Sequence, residues 1–105
     1  MKLNLSQIKF EGEWYAFKDS EILIRPIPLS KQRLGVNLEF SENLKANFVY
    51  CLADWKNVFD ENGKEIKLTD EIRGHIFDFG PNDLRNFVLE KVKEQMDKLS
   101  ELEKN

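Results

Sequence analysis

The apolar positions of this chain change period along its length, and each change predicts an element. Phe10-Glu11-Gly12-Glu13-Trp14-Tyr15-Ala16-Phe17 is rich in aromatics and reads as a strand. Lys18-Asp19-Ser20 turns the chain, and Glu21-Ile22-Leu23-Ile24-Arg25-Pro26-Ile27-Pro28 reads as a second strand. There Ile22, Ile24 and Pro26 alternate with Leu23, Arg25 and Ile27. A period of two with one mostly apolar face marks a half-buried strand. Two prolines remove ladder donors, so this strand ends there or lies at an edge. A hairpin over residues 10–27 is the expectation, after a short polar lead-in at residues 1–9.

Ser30 is placed to cap a short helical turn over Lys31-Gln32-Arg33-Leu34, stopped by Gly35. Ser41 is a second cap, before a segment in which Leu44, Phe48 and Cys51 or Leu52 recur at helical spacing. That spacing favours a helix over residues 42–52, while the apolar run Phe48 to Leu52 also suits a strand. Asp60-Glu61-Asn62-Gly63 is a turn, because Asn-Gly accommodates the positive φ that tight turns need. It predicts a small hairpin joining 55–59 to 64–68. Thr69 then caps a helix with Asp70 and Glu71 in its first turn, where carboxylates suit the helix dipole. Ile72, Ile76 and Phe79 share one face of it. Gly74 costs it about 1 kcal/mol of propensity, and Phe79-Gly80-Pro81 breaks the chain.

The last element carries the longest pattern. From Asn82 onward, Leu84, Phe87, Val88, Val92, Met96, Leu99 and Leu102 recur in steps of three and four, with charges of mixed sign elsewhere. This is an amphipathic helix of about twenty residues, about 30 Å long. Two readings of its stripe stay open: the whole stripe packs internally, or the part from about Met96 onward meets a partner. The elements together predict an α+β domain: a small antiparallel hairpin or sheet packed with about three helices. A single domain spans 1–105, with 10–80 as the core and 82–105 as the terminal helix.

Composition narrows the function. Hydrophobic residues make up 41% and charged residues 33%, so the chain folds rather than staying disordered. A net charge of −3 argues against a general nucleic-acid binder, which carries a basic face. No signal-peptide apolar core opens the chain and no apolar run approaches a membrane span. A soluble, cytoplasmic protein with no membrane partner is expected.

The search for chemistry returns little. His75 and Cys51 are the sole histidine and cysteine, so no metal-ligand cluster forms at ligand spacing. Cys51, in an apolar run, reads as a buried inert thiol. Aligning Gly63 to the sixth position of an EF-hand loop puts Val58 first and Thr69 twelfth, where oxygen ligands of high charge belong, so that reading fails. The glycines are too dispersed for a phosphate loop, and no nucleophile has a base beside it. No enzyme, no metal and no cofactor are expected. Trp14 and Trp55 read as core anchors, with binding hot spots as the alternative.

An apolar segment, then Asp54-Trp55-Lys56-Asn57-Val58, then Asp60-Glu61-Asn62-Gly63-Lys64-Glu65-Ile66, then Thr69-Asp70-Glu71 and a helix, resembles the small tail assembly chaperones of long-tailed bacteriophages and prophages. The strand ending in Ile24-Arg25-Pro26-Ile27 is similar to their opening as well. The resemblance covers about residues 20–80. It implies a non-enzymatic virion-morphogenesis factor that binds the long helical tape measure protein until tail-tube subunits polymerise round it. The expected contacts for that partner, or for a second copy, are Phe87, Val88, Val92, Met96 and Leu99. A head–tail connector or tail-completion protein, and a small regulatory or anti-defence protein binding one host protein, are the alternatives.

Overall fold

The computed structural model describes residues 11–27 and 41–103, with side chains placed for 11–27 and 44–98. Three strands, β1 (Glu13–Phe17), β2 (Ser20–Ile24) and β3 (Leu52–Lys56), form an antiparallel sheet in the order β1-β2-β3. Among the described residues, three helices follow in chain order as α1 (Ser41–Cys51), α2 (Asp70–Phe79) and α3 (Asn82–Glu103). The fold is α+β, as the alternation of periods predicts. The expected turn at 31–34 lies outside the described residues.

The first hairpin forms with Glu13 opposite Ile24 and Phe17 opposite Ser20. Its turn is tight, with Lys18 at φ 52°. Pleating sends Ile22 and Ile24 inward, 1% and 0% exposed, with Tyr15 and Phe17 packed against the core beside them. Trp14 therefore faces the other way. It is 40% exposed, under the Lys56 ammonium, which lies 4.1 Å from the ring centroid. The expected core anchor is a solvent-face residue, because Tyr15 and Phe17 already hold the inward positions of a five-residue strand.

Residues 42–52 prove helical almost to their end, and then the chain changes structure with no loop between. Cys51 is the last residue of α1 and Leu52 the first of β3. Strand β3 pairs with β2, with Leu52 opposite Ile24 and Asp54 opposite Leu23. Ala53 is thus an extra residue, a bulge. Leu52 and Trp55, three apart, consequently both point inward and are 0% and 9% exposed. The expected second hairpin is reduced to one bridge, Phe59 with Glu65, closed by the N–H of Asp60 on Lys64 O and that of Ile66 on Val58 O. The strand begins three residues earlier than expected and pairs with β2.

A helix that ends without a loop leaves its last carbonyls needing donors. Arg25 supplies two of them, and Arg73 meets the first two carbonyls of β3. The Arg25 N–H and Nε donate to Cys51 O and Tyr50 O at 3.0 and 2.7 Å. The Arg73 Nε and Nη2 donate to Leu52 O and Ala53 O at 2.6 and 2.7 Å. Four consecutive carbonyls, residues 50 to 53, are met by Arg25, just past β2, on one side and by Arg73 of α2 on the other.

Helix α2 starts as expected: Thr69 Oγ1 accepts the Ile72 N–H at 3.2 Å, and Asp70 and Glu71 occupy the first turn. Its C-terminus is closed by Gly80, at φ 94°, whose N–H donates to Ile76 O. The inward face keeps two of the three expected residues, Ile72 and Ile76, and loses Phe79. Ile76 is buried, Phe77 packs on Phe48 with centroids 5.5 Å apart, and Phe79 is 76% exposed. At 3.6 residues per turn the core side is centred between Ile76 and Arg73. That places Phe79 on the flank, at the helix end.

All three helices cover the same face of the sheet. Phe48 of α1, Ile76 of α2 and Val88 of α3 meet Ile22, Ile24, Leu52 and Trp55 in the core. The Trp55 indole N–H donates to Ile66 O at 2.8 Å, which fastens the segment after the acidic turn under β3.

Candidate functional site

The sequence places the candidate contacts on α3, so the geometry of that helix decides what each can offer. Its start is tied to the hairpin turn, where Lys18 Nζ meets Asp83 Oδ2 at 2.7 Å. The hydrogen bond from Lys18 holds the Asp83 carboxyl below its ordinary range. Gln95 is 9% exposed, and its Nε2 donates to Tyr15 Oη at 2.9 Å and Ile24 O at 2.8 Å. The helix therefore runs from the β1–β2 turn to the far end of β2. From Asp83 to Gln95 it rises about 18 Å, close to the 17 Å or so of a five-residue strand. Residues 96–103 carry it about 12 Å further.

The five expected contacts divide along this line. Val88 is 0% exposed, in the centre of the core. Phe87 and Val92 are half-buried against the same core. Phe87 sits edge-on to Tyr15 at 6.2 Å and tilted on Phe17 at 4.9 Å. The Lys91 ammonium lies 5.4 Å from the Tyr15 ring and 5.5 Å from the Phe87 ring, closing the edge of the cluster. Val88 consequently has no surface to give, and Phe87 and Val92 already serve the fold. Met96 is half-buried at the point where the helix leaves the sheet. Leu99 lies one turn further, beyond the side chains described.

Gln95 was not among the expected residues, although its place on the 92–95–99 step carries a signal. A polar residue on an apolar stripe needs partners; Gln95 Nε2 finds them at Tyr15 of β1 and Ile24 of β2, while its buried Oε1 has none among the described residues. Arg25 and Arg73 give no such signal, since arginines beside a helix start or a proline read as surface residues.

The remaining chemical groups are occupied structurally. Asp60 Oδ1 accepts the N–H groups of Asn62 and Lys64, both at 2.9 Å, so the acidic turn uses its carboxylate to hold itself. Asp54 Oδ1 accepts the Trp55 N–H at 2.8 Å. Burial pushes the Cys51 thiol up to about 12, with Arg25 opposing. His75 is exposed, its ring 5.0 Å from that of Phe79. Among the described residues no three His, Cys, Asp or Glu side chains are grouped to hold a metal ion, and no helix is long and apolar enough to cross a membrane. Compared with protein-family models, curated proteins and solved structures, the chain matches none of them.

Proposed function

We propose that this chain is a non-enzymatic binding protein of the tail assembly chaperone kind, holding a long helical, tape-measure-like partner in the cytoplasm of a bacterial host. Two things support the reading. One is the resemblance of residues 20–80 to that family, carried by Asp54-Trp55 ahead of the Asp60–Gly63 turn. The other, which carries it, is the reach of α3 past the sheet, with Met96 where it departs and Leu99 and Leu102 continuing the stripe. A helix end with an apolar stripe suits side-by-side packing with a partner helix, anchored at steps of three and four. The proposed contacts are Met96 and Leu99, since Val88 is enclosed and Phe87 and Val92 pack against the core.

The test is co-expression of the tagged chain with a long helical chain encoded beside it, followed by co-purification and titration. The expected result is a soluble complex that Met96→Asp/Leu99→Asp weakens at least tenfold, about 1.4 kcal/mol, with circular dichroism and melting unchanged. Equal binding by the double variant refutes the site. Unfolding of the variant makes the stripe's end part of the core and also removes the site. A stable ring of the chain alone, with no helical partner bound, refutes the chaperone reading in favour of a connector.

A further inference from the structure

We draw no further inference here: the strongest candidate, the solvent face of the sheet where Trp14 and Leu23 lie beside Lys56, is an unpartnered and partly apolar face, and nothing in the structure shows what covers it.

Discussion

Replacing Arg73 by methionine should lower the stability of the fold by about 2–4 kcal/mol. Methionine retains much of the buried stem, so the change isolates the loss of the guanidinium. Two of its bonds go to Leu52 O and Ala53 O at 2.6 and 2.7 Å, and Leu52 is wholly enclosed. A hydrogen bond from a charged donor contributes about 1.5–3 kcal/mol, and a buried carbonyl left unpaired costs about 1–3. Ala53 is only half-buried, so water recovers part of its share. The third bond, Nη1 to Asp70 Oδ1 at 2.8 Å, adds little because the Asp70 side chain is 88% exposed. Urea unfolding followed by tryptophan fluorescence measures the difference, with the slope of the transition expected to stay constant. Arg73→Lys should fall between the two, since an ammonium lacks the planar fork that meets two adjacent carbonyls. A methionine variant within about 0.5 kcal/mol of the parent, or a lysine variant equal to it, would refute the account of the helix–strand junction.

Gly12→Ala should also be costly, because Gly12 has φ 100° and an added Cβ would lie 2.5 Å from Ile24 O. A loss of about 2 kcal/mol, read as a melting point lower by at least about 8 °C, is expected; an unchanged melt would show that the loop shifts freely. Cys51 should resist thiol reagents at pH 8 in the native protein and react in step with unfolding in urea, and rapid native labelling would contradict its burial. The same group gives a pH dependence. Between about pH 9 and 12 the folded thiol keeps a proton that the unfolded chain has released, so stability falls as pH rises. Tyr15, also raised by burial, adds in the same direction above about pH 10. Cys51→Ala should show a shallower decline of the urea midpoint over this range, and parallel declines would remove the thiol as the cause.

What the sequence discloses and what it hides follow from how local each cause is. Thr69 with Asp70 and Glu71, the turn at Gly63 and the alternation of Ile22 and Ile24 are local signals, and each stands in the structure as expected. Strand β3 is different. Its bulge at Ala53 puts Leu52 and Trp55 on one side, a spacing that imitates a helix and breaks the period of two. Trp14 and Phe79 are large aromatics whose hydrophobicity predicts burial. Their exposure is set by Tyr15, Phe17 and Phe77 having taken the inward places. On α3 the stripe is legible throughout, but the point where sheet contact ends is not. That point depends on the length of β2 and on the Gln95 bond to Ile24 O, 71 residues away in sequence.

The junction of α1 and β3 has a consequence for how the molecule is assembled. Its donors come from 25 residues upstream and about 20 downstream, at Arg25 and Arg73. The donors to the carbonyls of residues 50 to 53 thus lie outside the segment that changes from helix to strand. A fragment of residues 41–56 therefore lacks both arginines that meet the carbonyls at the boundary. Contacts of such sequence separation must be gathered before they return any stability, which slows folding relative to a locally capped bundle. Once formed, they join α1, β2, β3 and α2 into one unit of opening and closing, so that fraying of the helix end and detachment of the strand become a single event.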